Sequence, residues 1–193
     1  MDNLKKKIVV FDMDDTLWSL NAKACEMLNI DYRKLHHYSL DENRLLTEAE
    51  KEKLQDLYQS VDLWKGMKWE QGAEDIHKLS EVGGEVFINS NCLTQAVADY
   101  KRTFVGGDLH LDNDHIILNV TTQFKKKKLP EDTLVFVDDS PYNIQSSTSV
   151  YDIMLDRPWN REIPETETRF RCYSVVEATE LIRQILVDHG HIG

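Results

Sequence analysis

A chain of 193 residues has room for one domain with an insertion or for two small lobes, and its 41% hydrophobic and 30% charged content suits a globular protein that needs no disulfide or structural metal to bury a core. A formal net charge of −11 excludes the broad basic face that a nucleic-acid polymer requires, and the longest basic run, Lys125 to Lys128, is too short to supply one. No stretch approaches the ~20 apolar residues of a membrane span. Cys25, Cys92 and Cys172 lie far apart without a CxxC pair, so a reduced, cytoplasmic protein with no membrane partner is expected.

In chain order, the first element is "KIVVF" (7–11), a continuous apolar run of the kind buried on both faces of a parallel sheet. Residues 18–78 contain no convincing strand. Within them "TEAEKEKLQDLYQSV" starts on Thr47 and Glu50 at capping-box spacing, and Leu54, Leu57, Tyr58 and Val61 share one helical face. Strand-like runs then recur at "EVFIN" (85–89), "HIILNV" (115–120), "LVFV" (134–137) and "YDIML" (151–155). Helical segments lie at 93–104 and 174–190, the latter opened by Ser174 and Glu177. The pattern predicts an α/β fold: a doubly wound, Rossmann-like parallel sheet of five strands, formed by 1–17 and 79–193, with a small helical cap at 18–78 inserted after the first strand.

In open α/β sheets ligands bind beyond the carboxyl ends of the strands. Here those ends carry "DMDD", "NSN" and "DDSPYN", and the fifth runs into "DRPWNRE". Asp12 and Asp14 beside Asp138 and Asp139 would crowd negative charge, which calls for a compensating cation. Oxygen-only ligands suit a hard ion, Mg²⁺ in particular, which commonly shares carboxylates with a phosphate oxygen. Ser90 could donate to that phosphate, and a lysine of 125–128 could neutralise it. The plainer readings are an acidic turn at Asp12–Asp14, a helix N-terminus at Asp138–Asp139, and a helix cap at Ser90.

These stations, in this order, resemble the haloacid-dehalogenase-like phosphohydrolases: "DMDDT" is similar to their DxDxT motif, followed by Ser90 in "VFINSN", a lysine, and the paired aspartates of "VFVDDS". The helical insert looks like their cap. "MLDRPWNRE", with "VDDSPYN" and "WEQGAEDI", further resembles the 5′(3′)-deoxyribonucleotidases, which remove phosphate from deoxynucleoside monophosphates. The resemblance implies that Asp12 attacks phosphorus and Asp14 serves as acid and then base. It implies that Asp12, the backbone carbonyl of Asp14 and Asp139 hold Mg²⁺ with Asp138 in support, that Ser90, Asn91 and a lysine bind phosphate, and that Thr16 braces the loop. Counting back from "VFVDD" favours Lys128, whereas matching "VTTQFK" favours Lys125. Asp15 is expected to point away. Trp64 either stacks on a nucleobase or packs, and Arg157, Trp159 and Asn160 either shape the site or tie down the fifth strand's exit. A sugar phosphatase or phosphomutase, and a silent binding protein on the same fold, are the alternatives; dimerisation stays open.

Overall fold

The structure, a computed structural model, describes residues 6–121 and 126–190. Strands β1 (Lys7–Phe11), β2 (Gly84–Cys92), β3 (Ile116–Val120), β4 (Thr133–Asp138), β5 (Tyr151–Leu155) and β6 (Arg169–Cys172) form one parallel sheet, ordered β3-β2-β1-β4-β5-β6. The first five match the runs expected from sequence. The sixth, "RFRC", escaped because arginines alternate with its apolar residues, as an edge strand half open to water allows.

β1 occupies the middle of the sheet, and Val9, Val10 and Phe11 are fully buried there. Phe11 pairs with Ile88 on one side and Val137 on the other. Asp12, Asn89 and Asp138 therefore come level at one edge. Strand order reverses at β1, which puts this edge at the topological switch point where such sheets bind ligands.

The two faces of the sheet are unequal. Val9 and Phe11 join the main core with α3 (Gln95–Leu109) and α5 (Val175–Gly190). Val10, on the opposite face, joins a smaller cluster with Phe136, Met154, Ile163 and Ile144 of α4 (Pro141–Gln145). No helix among the described residues is long and apolar enough to cross a membrane.

The insert begins with α1 (Leu20–Leu28), continues through 3-10 turns at Tyr32–Lys34 and Leu40–Glu42, and includes α2 (Glu48–Tyr58). Thr47 and Glu50 cap α2 reciprocally, Glu50 N–H donating to Thr47 Oγ1 at 3.3 Å and Thr47 N–H to Glu50 Oε2 at 2.8 Å. Leu54, Leu63, Trp64 and Cys25 pack into the same core as Phe11, so the insert lies directly on the sheet domain. Its two ends are joined: Glu70 N–H donates to Leu17 C=O at 2.8 Å, Ser19 Oγ donates to Glu70, and the Trp18 and Trp69 rings stack 4.8 Å apart. The 3-10 helix Ala73–Val82 already packs on β2, α3 and α5. Residues 73–78 thus lie against the sheet layer. Gly72 makes this approach possible, with φ of 91° and a position where a Cβ would fall 2.8 Å from the Val176 side chain.

Candidate active site

The level ends of β1, β2 and β4 assemble two adjoining charge clusters. In the first, carboxylate oxygens of Asp12, Asp138 and Asp139 all lie within 4.8 Å of one another, and all three residues are buried. The Lys127 ammonium sits among them, 2.8 Å from Asp138 Oδ2 and in direct contact with Asp12 Oδ1. Burial pulls this ammonium toward its neutral form, but Asp12 and Asp138 outweigh it and hold the proton on more firmly than usual.

One lysine does not balance three carboxylates. Burial raises Asp12 to about 7; Lys127 opposes the rise, while Asp138 and Asp14 add to it. Asp139 is raised well above its usual range by burial first, then by Asp138, Asp15 and Asp12. A buried, oxygen-only donor set with surplus negative charge fits a hard divalent cation. Asp12, Asp138 and Asp139 could hold it.

The second cluster surrounds Asp14. Its Oδ1 accepts from Trp18 Nε1 at 2.9 Å, and its Oδ2 accepts from Ser90 Oγ at 3.2 Å and from Lys101 Nζ at 2.5 Å. Trp64 covers this group, its ring centroid 4.1 Å from Lys101 Nζ. Trp64 is 4% exposed, and its Nε1 is a buried donor with no partner among the described residues. Asp15, at φ 59°, accepts the Asn21 N–H at the start of α1 at 2.9 Å, and its charge still bears on Asp139.

The surroundings decide several readings that sequence left open. Ser90 is not the cap of α3, because Thr94 is, accepting the Val97 N–H at 3.2 Å. Ser90 stays inside β2, fully buried. Half-buried Asn91 follows it, its carbonyl 3.4 Å from Ser90 Oγ. Asp138 does serve the start of α4, accepting from Ser140 N–H at 2.7 Å and Asn143 Nδ2 at 3.0 Å, while also binding Lys127. Thr16 lies 3.5 Å from both Asp12 and Asp139 through its hydroxyl, at the limit of hydrogen bonding.

Of the two lysines weighed from sequence, the structure describes Lys128. Lys128 is exposed, and only its backbone carbonyl is used, accepting Asn89 Nδ2 at 3.0 Å. Lys125 lies outside the described residues. Among the described residues, the ammonium that reaches Asp12 and Asp138 belongs to Lys127, one of the two lysines between these candidates. Asn89, itself held by Asn119 at 2.8 Å, pins the loop so that Lys127 faces inward.

"DRPWNRE" supports the carboxylate loops. Trp159 Nε1 donates to Asp139 Oδ2 at 2.8 Å, Asn160 Nδ2 donates to the Asp139 carbonyl at 2.8 Å, and Arg157 Nε donates to the Asp15 carbonyl at 2.7 Å. From the insert, Tyr38 reaches over the same edge, hydrogen-bonded to Ser140 and edge-on to Tyr142. Burial, with Asp139 and Asp138 nearby, keeps its phenol protonated well beyond the usual range. Asn43 shapes the loop that carries Tyr38, accepting from His36 and His37 N–H at 2.7 and 2.9 Å and donating to His37 and Ser39 carbonyls at 2.8 Å.

Sequence reasoning missed Lys101, Asn89 and Asn43. Lys101 falls on the inner face of an amphipathic helix, four residues after Val97 and four before Val105, and that misplaced charge was a usable signal.

The fold is similar to that of solved haloacid-dehalogenase-like hydrolases. No family model matches the chain, and no curated protein does; 77 chains of solved structures match. A haloacid-dehalogenase-like hydrolase from Streptococcus pneumoniae aligns with TM-score 0.58 at 12% identity, covering 92% of this chain and 99% of its own. A provisionally assigned phosphatase from Clostridium difficile gives TM-score 0.58 at 16% identity over the same shares. A provisionally assigned hydrolase of this type from Bacillus subtilis, determined bound to magnesium, gives 0.54 at 16%, again over 92% and 99%. At these identities the likeness is one of fold.

Proposed function

We propose that this chain is a Mg²⁺-dependent phosphomonoester hydrolase that works through a phosphorylated Asp12. The observation that carries the reading is the pairing of Asp12 with Lys127 inside a three-carboxylate cluster, with Asp14 held separately two residues away. Asp12 Oδ would bond to phosphorus as the ester P–O bond breaks, the electron pair leaving with the ester oxygen and Asp14 supplying its proton. Asp14 would then take a proton from water as the water oxygen bonds to phosphorus and the Asp12–phosphorus link breaks. Inorganic phosphate leaves and Asp12 is restored. Lys127, Ser90 and Asn91 would bind the phosphoryl oxygens, and bound Mg²⁺ would neutralise their charge.

The substrate is small. Asp12 and Asp139 are no more than 5% exposed, and Trp64 of the insert, 4% exposed, covers Asp14 and Lys101, which suits a small ligand under a cap rather than a polymer. A deoxynucleoside monophosphate is the substrate we favour, on the sequence resemblance and on Trp64, an aromatic with an unpartnered buried donor beside Asp14 and Lys101. One observation favours a broader range: Arg157, Trp159 and Asn160 of the nucleotidase-like stretch are committed to the carboxylate loops. A sugar phosphate is therefore the second reading.

Phosphate release across nucleoside monophosphates and sugar phosphates with Mg²⁺ tests both readings. Turnover of deoxynucleotides that is lost on chelation and restored by Mg²⁺ is expected. Asp12→Asn should lower kcat by about 10⁴-fold or more in a folded protein, in line with loss of a nucleophile. Full activity in that variant would overturn the mechanism.

A further inference from the structure

Lys101 is fully buried in α3, where a leucine would complete the apolar face. Removing an ammonium from water is costly, and the cost is offset only by close, well-directed partners. Those partners are present: Asp14 Oδ2 at 2.5 Å, Ser90 Oγ at 3.0 Å and the Trp64 ring at 4.1 Å. None of them is shared with Lys127, which binds Asp12 and Asp138. Trp18 meanwhile fixes the other oxygen of Asp14. A carboxylate gripped at both oxygens has lost its rotational freedom.

We infer that Lys101 is a positioning residue which, with Trp18, fixes the direction from which Asp14 exchanges a proton with the leaving oxygen. The inference rests on the phosphatase reading above. In the step concerned, the Asp12 oxygen–phosphorus bond forms and the ester P–O bond breaks; the leaving oxygen keeps that electron pair and takes the proton from Asp14. The charge on Lys101 stabilises the carboxylate that the transfer leaves behind. Ser90 does not depend on Lys101 alone, since it also bonds to Asp14.

A role through Asp14 has a readout that a structural role lacks. An alkyl alkoxide needs a proton as it leaves, whereas p-nitrophenolate does not. Lys101→Met should lower kcat/KM for an alkyl phosphate by roughly 10- to 100-fold, the scale of a displaced catalytic group. With p-nitrophenyl phosphate the loss should stay within about threefold, since no acid is needed there. Because Lys101→Met strands Asp14 and could fail to fold, Asp14→Asn and the double variant Asp14→Asn/Lys101→Met are measured beside it; the double variant removes both charges together. The double variant should match Asp14→Asn on both esters. Equal losses on the two esters, or multiplied losses in the double variant, would overturn the inference. A wild-type protein that releases phosphate from neither ester would instead overturn the phosphatase reading, and the inference with it.

Discussion

The two lysine clusters stand on either side of the same short loop, yet they are built differently. Lys127 reaches Asp12 and Asp138 from a connecting segment, and its partners are fixed by strand register: Phe11 aligned with Val137. Lys101 reaches Asp14 from the middle of a helix, and its cover is an aromatic residue of the insert. The first cluster belongs wholly to the sheet domain. The second is completed only where insert and sheet domain meet. Under the proposed function, fixed charge lies where phosphate would bind, and order that depends on the insert lies where the proton would move.

The sharpest way to break this division is at Lys127. Lys127→Met should reduce kcat/KM by about 10²- to 10³-fold, the usual cost of losing one preorganised charge at a reacting centre. Lys128→Met should stay within about twofold, as exposed substitutions away from a site do. Steady-state kinetics on the two variants decides the register, and the reverse ranking would place the phosphate lysine elsewhere.

Acidity separates the clusters next. Asp12, ordinarily near 3.8, is raised to about 7, so folding takes up a proton at this residue between those values. Its contribution to stability is whole below the lower value and is lost as pH rises through about 7. Mg²⁺ binds the ionised form and displaces the proton. The rise in melting temperature produced by Mg²⁺ should therefore be larger at pH 8 than at pH 5.5. A shift that is the same at both, read by differential scanning fluorimetry, would count against Asp12 as a ligand.

The smallest expected effect concerns support. Trp159→Phe keeps the ring and removes only the donor to Asp139, so it should cost about 2 kcal/mol in urea unfolding. Activity should fall far less than in Lys127→Met.

The sequence made the sheet legible because five of its strands are short apolar runs, and it made Asp12, Asp14, Ser90, Asp138 and Asp139 legible because each follows or ends such a run. It could not show which lysine faces inward. Four lysines in succession look alike, and what selects Lys127 is a hydrogen bond to the carbonyl of its neighbour Lys128 from Asn89, 39 residues before Lys128. Edge strand β6 was hidden by its arginines, which turn to Asp156, Asn160 and Asp152 rather than to solvent alone. The "DRPWN" stretch was visible but its work was not. From sequence it pointed toward a substrate, whereas in the fold its side chains hold Asp139 and the Asp15 carbonyl.

The central place of β1 has a consequence for how the molecule is made. β1 pairs with β2 and β4, whose nearest residues follow it by more than 70 and 120 positions. Both neighbours must arrive before Val9, Val10 and Phe11 are covered, so a growing chain carries this apolar segment uncovered until β4 has been made. The same pairings bring Asp12 level with Asp138, so the carboxylate cluster forms only when the last of them closes.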